Sequence, residues 1–443
     1  MKRAALHNLG CKVNAYETQA MQQLLEQAGY KIVAFGEQAD VYVVNTCSVT
    51  NIADRKSRQM LHRARRLNPD AVLVAAGCYV QAAGPDLLEE GIADIILGNN
   101  KKEHLIRMLD EYQKTQTPAT DWEDINRGQK QYERLFIRQT AGHTRAFIKI
   151  QDGCNQFCSY CVIPYARGRV RSRHPDDILK EVQDLSDGGC KEVVLTGIHL
   201  SSYGTQTKEP DTHPAGSALI GLLLEIHAIA GISRIRLGSL EPGIITEEFA
   251  KTLAGMEKIC PHFHLSLQSG SDTVLQRMNR KYDTREYAEK CQILRKYFKN
   301  PAITTDVIVG FPGETEEEFL TTTQFLQQIH FYEMHIFKYS KRKGTKAAVM
   351  DGQIPEAVKA QRSAALIALG EKMSKDYRDS FIGAESSVLL EEPFVYDGKK
   401  YEVGYTKEYL KIAVESEKNR SNTVVRGKIT GYLTQDIYIM VEF

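Results

Sequence analysis

The chain has 443 residues, of which 42% are hydrophobic and 26% charged, and its formal net charge is +1. Such a composition is typical of a globular protein of about three domains, and the small net charge says nothing about nucleic acid. The start does not read as a signal peptide and no stretch approaches the roughly 18 apolar residues of a membrane helix, so we expect a cytoplasmic protein with no membrane contact.

Residues 1–112 alternate strand-like and helix-like segments, which predicts a doubly wound parallel α/β domain. The apolar residues Met21, Leu24, Leu25 and Ala28 have helical spacing, and a second helix is expected over residues 53–67. The predicted strands are Ala4–Leu9, Val41–Val44, Ala71–Ala76 and Ile92–Leu97.

Three cysteines, Cys11, Cys47 and Cys78, each follow one of these predicted strands. The carboxyl ends of parallel strands lie along one edge of a sheet, where open α/β folds bind ligands. The three thiols can therefore converge as ligands of an iron–sulfur cluster. The alternative is that cysteine, a commonly buried residue, merely ends three strands, and position alone supports both interpretations equally.

The segment after Cys47 is rich in basic residues with few acidic ones nearby, including Arg55, Arg58 and Arg63. Such a helix face either binds RNA phosphates or is merely solvated. Residues 113–142 are polar and are expected to connect two domains.

Residues 143–374 again alternate strands and helices. Six βα units are fewer than the eight of a closed TIM barrel, so we expect an open partial (βα)6 barrel. The predicted strands are Ala146–Ile150, Glu192–Leu195, Arg234–Leu237, His262–Leu267, Ile303–Val309 and His335–Tyr339.

A C-x3-C-x2-C motif formed by Cys154, Cys158 and Cys161 follows the first of these strands. Thiolates are the usual ligands of iron–sulfur clusters, and three of them leave one iron of a four-iron cluster open. A zinc site would usually require a fourth protein ligand. The motif, with Tyr160 before its last cysteine, resembles the signature of the radical S-adenosylmethionine (SAM) superfamily, and beside it a second cluster at Cys11, Cys47 and Cys78 becomes the favoured interpretation.

The next segment places arginine at every second position, at Arg167, Arg169, Arg171 and Arg173, with Tyr165 nearby. This pattern resembles a surface that binds phosphates and stacks on bases. The alternative is that the arginines stabilise a domain interface. Cys190, Cys260 and Cys291 lie away from these segments and are expected to be structural free thiols.

Residues 375–443 contain short β-rich runs separated by turn signals such as Asp397-Gly398, which predicts a small antiparallel β-barrel. Barrels of this kind often bind nucleic acids.

Along its whole length the sequence resembles the methylthiotransferase family, which combines an N-terminal methylthiotransferase domain, a radical SAM core and a C-terminal TRAM domain. The resemblance rests on Gly10-Cys11, Asn45-Thr46-Cys47, Gly77-Cys78 and the C-x3-C-x2-C motif with the Val162–Gly168 segment. It implies two 4Fe–4S clusters with three cysteine ligands each. One would cleave SAM to a 5′-deoxyadenosyl radical and the other would hold the inserted sulfur, which a second SAM methylates. The residues expected near SAM are Tyr160, Thr196, Gly197, Ser266, Gln268 and Gly310.

The segments around Cys11 and Asn51 resemble the branch of the family that acts on N6-threonylcarbamoyladenosine at position 37 of tRNA. The resemblance implies binding of the tRNA anticodon stem-loop by the TRAM domain and the arginine segment, a flavodoxin or ferredoxin as electron donor, and a monomer. The alternatives are isopentenyladenosine in tRNA, an aspartate of a ribosomal protein, and a non-catalytic iron–sulfur protein that binds RNA or senses redox state.

Overall fold

The computed structural model describes residues 1–84, 87, 91–128, 131–138, 144–205 and 216–443. They form an N-terminal α/β domain, a central open barrel and a small C-terminal barrel. Within these ranges no helix is both long and apolar enough to span a bilayer.

The N-terminal domain is built on six strands, all paired in parallel. The strands are β1 Arg3–Asn8, β2 Lys31–Ile32, β3 Val41–Thr46, β4 Val72–Gly77, β5 Ile95–Leu97 and β6 Ala119–Asp121. The described helices are α1 Lys12–Gln27, α2 Asn51–Leu67, α3 Cys78–Ala83 and α4 Leu105–Thr115. Separate hydrophobic clusters pack on the two faces of the sheet, as the doubly wound prediction requires.

The strand order is β2-β1-β3-β4-β5-β6. The chain therefore turns to one side of β1 for β2 and to the other side for β3, so the sheet has its topological switch point between β1 and β3. Ligands of open α/β sheets bind outside the carboxyl ends of strands at such a point. Strand β6 lies in the stretch predicted to be a connection and extends the sheet beside β5.

The central domain contains the six predicted parallel strands in an open barrel. They are β7 Arg145–Asp152, β9 Glu192–Gly197, β10 Arg234–Leu237, β11 His262–His264, β12 Ala302–Val309 and β13 Glu333–Lys338. A short strand, β8 Arg171–Ser172, pairs with β7 in antiparallel direction. Isolated bridges from Ile235 to Ile259 and from Leu240 to Leu265 join the two sheets of the barrel.

Helices cover the outside of this barrel and bury its apolar residues in the largest core of the molecule. They are α5 Ile163–Arg167, α6 Pro175–Asp187, α7 Ser217–Ala228, α8 Glu247–Ala254, α9 Asp272–Arg277, α10 Thr284–Tyr297, α11 Glu316–Ile329 and α12 Glu356–Asp379. Helix α12 runs across the predicted domain boundary at residue 374 without interruption.

The C-terminal domain is a closed five-stranded barrel in the order β14-β15-β16-β18-β17. Its strands are β14 Glu385–Tyr396, β15 Lys399–Thr406, β16 Lys411–Glu415, β17 Val424–Tyr432 and β18 Tyr438–Glu442. The turn at Asp397-Gly398 has positive φ at both residues, as a tight hairpin requires. The pairing is antiparallel except between β16 and β18, which are parallel.

Candidate active site between two cysteine triads

The first triad, Cys11, Cys47 and Cys78, lies at the carboxyl ends of β1, β3 and β4. Cys11 precedes α1 and Cys78 begins α3, so each cysteine sits where a strand turns into the next segment. The thiols of Cys11 and Cys78 lie close enough to Cys47 for their charges to raise its pKa, so the three thiols are within electrostatic range of one another. The structure thus brings together three residues that are 36 and 31 positions apart in the chain.

Side chains of the helices hold the loops of this triad in place. The Asn14 amide donates hydrogen bonds to the carbonyl oxygens of Leu9, at 2.7 Å, and Thr46, at 2.9 Å. The backbone N–H of Cys47 donates to Ser57 Oγ, and this hydroxyl donates in turn to the Cys47 carbonyl oxygen. Helices α1 and α2 therefore fix the loops that carry Cys11 and Cys47.

The second triad, Cys154, Cys158 and Cys161, lies in the loop after β7. The loop closes tightly at Gly153, where φ is +73° and a Cβ atom would lie 1.9 Å from the Arg169 carbonyl oxygen. Cys154 N–H donates to the Gly168 carbonyl oxygen and Cys161 N–H to that of Cys158, each at 3.0 Å. These constraints hold three sulfur atoms around one short loop.

The donor set of both triads fits a metal cluster. Burial raises the pKa of Cys47 and of Cys154 to about 11, and that of Cys161 to about 12. Burial also raises the pKa of Cys11. A buried thiol of this kind keeps its proton unless a positive charge stabilises the thiolate, which is what cluster iron provides. Among the described residues neither triad has a fourth cysteine beside it, which suits a cluster with one open iron.

A cavity of about 270 Å³ lies beside the second triad and is lined by all three of its cysteines. Its wall also contains Val49 and Thr50, which follow Cys47 in the loop of the first triad. The same space is thus bordered by the loops of both triads. It lies at the carboxyl ends of the barrel strands, where barrels of this type bind substrates.

Three of the six residues expected near SAM line this cavity, namely Tyr160, Ser266 and Gln268. The other three lie outside its lining. Thr196 is buried in the sheet and Gly197 packs against Gln151. Gly310 packs against Lys359 of α12, and its N–H donates to Glu314 Oε1.

Sequence reasoning did not assign several charged or polar residues of the cavity to the site, among them Arg280, Glu241 and His199. The Arg280 guanidinium donates to Cys158 Sγ at 3.1 Å and to both carboxylate oxygens of Glu241, at 2.6 and 2.8 Å. The imidazole of His199 lies 3.6 Å from Glu241. Glu241 follows strand β10, and a polar residue directly after a barrel strand is a sequence pattern that predicts a site residue. Arg280 lies in a loop after α9, where the sequence has no such pattern.

The first triad has an equivalent arginine. The Arg167 side chain is fully buried and donates from Nε to Cys78 Sγ at 3.2 Å. It also donates to Glu17 Oε1 at 2.8 Å and to Asn14 Oδ1 at 2.6 Å, and it contacts Asp152 at 3.2 Å. Although burial favours the neutral acid, Arg167 and two lysines hold the pKa of Glu17 well below its usual range.

The prediction that all four arginines after Cys161 bind RNA is wrong for Arg167, Arg171 and Arg173, which are 0%, 4% and 3% exposed. Arg171 donates to the Arg167 carbonyl oxygen, and Arg173 forms an ion pair with Glu181. The alternative interpretation, an interface between domains, is the correct one for Arg167 and Arg173, which donate to Glu17 and to the Tyr16 hydroxyl of α1, whereas the contacts of Arg171 lie within the barrel domain.

Arg169 is different because it is exposed. Its guanidinium lies 4.3 Å from the ring centre of Phe157, and that ring contacts the half-exposed Tyr165 edge-on at 5.9 Å. These three side chains form a cationic and aromatic patch on the loop of the second triad. We call Phe157, Tyr165 and Arg169 the loop patch.

The predicted basic face of α2 is exposed at Arg55, Arg58 and Arg63. Thr50 caps this helix by accepting a hydrogen bond from the Ala53 N–H and also lines the cavity. The basic face therefore begins at the rim of the cavity. Arg58 also donates to the Tyr79 hydroxyl at 3.1 Å.

The structural free thiols are confirmed, since Cys190, Cys260 and Cys291 are buried away from both triads.

Two family models match the chain. Residues 148–326 match the radical SAM superfamily, and residues 3–98 match the family described as "Uncharacterized protein family UPF0004". The second match covers the domain of the first cysteine triad.

Relatives match almost the whole chain. The sequence is 42% identical over 431 residues to the "Threonylcarbamoyladenosine tRNA methylthiotransferase MtaB" of Bacillus subtilis, covering 97% of this chain and 94% of the relative. It is 40% identical to the protein of the same name from Aquifex aeolicus, covering 88% and 93%. A "tRNA-2-methylthio-N(6)-dimethylallyladenosine synthase" of Moorella thermoacetica is 35% identical, covering 95% and 94%.

Solved structures share the fold. The radical S-adenosylmethionine methyltransferase TsrM from Kitasatospora setae matches with a TM-score of 0.56 and 16% identity, covering 79% of this chain and 77% of that one. The cobalamin-dependent S-adenosylmethionine radical enzyme OxsB matches with a TM-score of 0.51 and 10% identity, covering 95% and 65%. With the full-length relatives, the matched family models and the two cysteine triads all in agreement, the chain belongs to the radical SAM methylthiotransferase family.

Proposed function

We propose that the chain is a tRNA methylthiotransferase that adds sulfur and a methyl group to C2 of N6-threonylcarbamoyladenosine at position 37, giving 2-methylthio-N6-threonylcarbamoyladenosine. The observation that carries the proposal is the single cavity bordered by the loops of both cysteine triads. Two cysteine triads whose loops border one space suit a reaction in which carbon activation and sulfur addition occur on the same atom. The substrate is suggested by the names of the two relatives at 40–42% identity.

Each triad would hold one 4Fe–4S cluster, and the residues present fit that role. Cys154, Cys158 and Cys161 would bind the cluster that works with SAM, and Cys11, Cys47 and Cys78 would bind the cluster that carries sulfur. When bound, the clusters and SAM would supply the one-electron chemistry that activates an unreactive C–H bond, together with the sulfur and the methyl group.

The protein's own side chains would bind and orient these groups. Ser266 and Gln268 offer polar atoms at the carboxyl end of β11, and Tyr160 adds a partly buried phenol beside the cysteines. The positive charge of Arg280 lies against Cys158 and is itself held by Glu241. Thr196, Gly197 and Gly310 lie outside the cavity lining and would support its backbone rather than contact SAM.

Two exposed surfaces beside the cavity would bind the tRNA anticodon stem-loop, namely the basic face of α2 and the loop patch. Their cations suit phosphate oxygens, and Phe157 and Tyr165 suit unpaired bases. The C-terminal barrel would be a third contact as the TRAM domain. We further propose that the enzyme is a cytoplasmic monomer that receives electrons from a flavodoxin or ferredoxin.

The competing substrates within the family are isopentenyladenosine in tRNA and an aspartate of a ribosomal protein. The isopentenyladenosine alternative is supported by a 35% identical relative whose name specifies dimethylallyladenosine. A non-catalytic iron–sulfur protein that binds RNA or senses redox state is the remaining alternative. Release of 5′-deoxyadenosine from SAM distinguishes any of the enzymes from the sensor.

The test is anaerobic incubation of the reconstituted protein with SAM, a reductant and tRNA, followed by mass spectrometry of the nucleosides. Transfer RNA with threonylcarbamoyladenosine and tRNA with isopentenyladenosine are used in parallel. We expect a methylthio mass gain on the first alone. A gain only on the second would overturn the substrate, and 5′-deoxyadenosine without a gain on either would favour a protein substrate.

Two variants separate the proposed roles of the triads. Cys158→Ala should abolish release of 5′-deoxyadenosine, whereas Cys47→Ala should retain some release and lose the methylthio product. Cys291→Ala is the matched control, because this cysteine is buried in the barrel core away from both triads. Equal loss of both readouts in the Cys47 and Cys158 variants, with iron content kept at the other triad, would contradict the division of roles.

A further inference from the structure

Three potential metal ligands lie on neighbouring strands of the central barrel, His264 on β11, Asp306 on β12 and His335 on β13. One ligand atom from each side chain lies within 4.8 Å of the others. In parallel register Asp306 pairs with His335, and His264 pairs with Thr304, two positions before Asp306. Side chains two positions apart on a strand share a face, so all three point into the barrel. None of them belongs to a cysteine triad.

The His264 ring is oriented as a metal-binding imidazole usually is. Its Nδ1 lies 3.0 Å from Thr304 Oγ1, which fixes the ring. Its Nε2 is buried, has no hydrogen-bond partner among the described residues and lies 3.3 Å from Asp306 Oδ2. Histidine ligands in proteins typically use one nitrogen for the metal and the other for such an orienting contact.

Asp306 and His335 are the other two candidate ligands, and the Lys12 ammonium also lies within electrostatic range of Asp306. In the part of the chain that the structure describes, His264 is the ion-pair partner of Asp306. The exposed His335 ring stacks beside His264, with centroids 5.9 Å apart and planes 25° from parallel. His335 lies on β13, the edge strand of this sheet, on the same face as Asp306.

We propose that His264, Asp306 and His335 bind one divalent transition-metal ion. Two imidazoles and a carboxylate are a common ligand set for zinc and for iron(II), whereas magnesium and calcium prefer oxygen ligands alone. The absence of sulfur separates this site chemically from the two triads. Three protein ligands also leave at least one position open.

The open position would face the cavity between the triads. Asp306 lines that cavity, as does Phe337, two positions after His335 on the same face of β13. An ion held there would therefore present positive charge to whatever occupies the cavity, and it would suit a carboxylate or another oxygen ligand. The site would thus add a third inorganic centre to the molecule, beside the two proposed clusters.

The competing explanation is an ion pair between protonated His264 and Asp306, with His335 stacked beside them. It accounts for the 3.3 Å contact equally well but predicts no metal uptake. It also predicts that removing His335, which forms no part of the ion pair, has no effect on metal content.

The test is anaerobic equilibrium dialysis of the cluster-loaded protein against Zn²⁺, with iron and zinc measured per chain. We expect one zinc beyond the cluster iron, with iron content unchanged. The X-ray absorption spectrum at the zinc edge should show nitrogen and oxygen ligands at about 2.0–2.1 Å with imidazole scattering, and no sulfur at about 2.3 Å.

His335→Ala and Asp306→Asn should each weaken zinc binding by about tenfold or more. His174→Ala is the matched control, because His174 also lies beside a carboxylate, that of Asp176 at 3.4 Å, but on the exposed surface without a third ligand. No zinc uptake, sulfur in the zinc shell, or equal binding by wild type and both variants would overturn the proposal.

Discussion

Two buried arginines each donate a hydrogen bond to one sulfur of a cysteine triad. Arg167 does so at Cys78 and Arg280 at Cys158, at 3.2 and 3.1 Å. Both arginines are also paired with carboxylates, which keeps their positive charge in a fixed place. Hydrogen bonds to cluster sulfurs are one means by which a protein sets the reduction potential of a cluster.

Replacing Arg280 by Gln is expected to lower the reduction potential of the cluster at the second triad. The reduced cluster is the more negative form, so loss of a nearby positive charge destabilises it, while the Glu241 carboxylate keeps only its contact with His199 among the described residues. A loss of about 1.4 kcal/mol corresponds to roughly 60 mV for one electron. Potentiometric titration followed by electron paramagnetic resonance measures the shift.

Arg277→Gln is the matched control for this measurement. Arg277 lies three positions earlier and pairs with Glu318 at 2.7 Å, on the partly exposed outer side of α9. We expect the cluster of the Arg277→Gln variant to have the same reduction potential as that of the wild type. An unchanged or higher potential in the Arg280 variant would contradict the assigned electrostatic role.

Gln268 and Ser266 give a second prediction at the scale of residues. Each alanine variant should weaken SAM binding by roughly five- to tenfold, about the loss expected for one hydrogen bond of 1–1.5 kcal/mol. Ser269→Ala is the control, because Ser269 points away from the cavity and its Oγ lies 3.3 Å from Thr322 Oγ1. Equilibrium binding of SAM to the cluster-loaded protein measures the effect, and an unchanged affinity in both cavity variants would remove these residues from the SAM site.

Arg169→Ala should weaken tRNA binding while leaving thermal stability unchanged, because this side chain is exposed and lies over the Phe157 ring. The slope of log affinity against log salt should fall by roughly 0.7–0.9 if one phosphate contact is lost. Arg167→Ala provides the contrast. It removes the buried hydrogen bonds to Glu17 and Asn14, although Lys149 still pairs with Glu17 and Asp152, so the fold should lose about 1.5–3 kcal/mol.

At the scale of elements, the sequence predicted most of the fold because strand and helix periodicity is local. The alternation in residues 1–112 and 143–374 identified the parallel sheet and the open barrel, and the cysteines after β1, β3 and β4 indicated a common edge. Their convergence could be predicted because parallel strands end on the same side of a sheet.

The errors came from contacts between distant segments. Arg167 and Glu17 are separated by 150 residues, so no local pattern reveals that the arginine is buried. Arg280 lies in a loop after α9, and only the folded barrel brings it to Cys158. The regular spacing of arginines suggested a surface, whereas alternation along β8 and its flanking residues turns Arg171 and Arg173 inward.

Helix α2 is the element whose predicted RNA-binding arginines are exposed in the structure. Combined Arg55→Ala and Arg63→Ala changes should weaken tRNA binding and reduce the salt slope by roughly 1.4–1.8, since two phosphate contacts are lost. Filter binding of tRNA at several salt concentrations measures both quantities. Arg285→Ala is the control, because Arg285 is 93% exposed on α10 and lies 4.0 Å from Asp283. A slope equal to that of the control would mean that the α2 face is simply solvated.

At the scale of the whole molecule, the base of the central barrel is clamped to the C-terminal barrel by arginines. Arg145 donates to Glu391 at 2.6 Å, Arg234 to the Tyr405 carbonyl oxygen at 2.7 Å and Arg236 to that of Lys407 at 2.9 Å. Glu192 of β9 lies among the three guanidinium groups, 2.8 Å from both Arg145 and Arg236. One buried carboxylate therefore compensates the charges that join two domains.

The Glu192→Gln variant tests this arrangement. Burial opposes ionisation of Glu192, but Arg236 and Arg145 outweigh it and lower its pKa to about 2. A carboxyl whose pKa is lower in the folded than in the unfolded chain stabilises the fold above the unfolded pKa of about 4.3. We expect the variant to lose about 3–5 kcal/mol, because three arginines keep their charge without their shared partner.

The loss in free energy of unfolding should be constant between pH 6 and pH 9, where Glu192 of the wild type is ionised in both the folded and the unfolded chain. It should decrease only as the pH falls from about 4.3 toward 2. Urea unfolding at pH 6, 7.5 and 9 measures the constancy. Glu415→Gln is the control, since Glu415 is 66% exposed and lies 3.8 Å from Lys399, and it should change stability by less than about 0.5 kcal/mol. If the Glu192→Gln and Glu415→Gln variants were equally stable, apolar contacts would hold the C-terminal barrel in place and the arginine contacts would contribute no net stability.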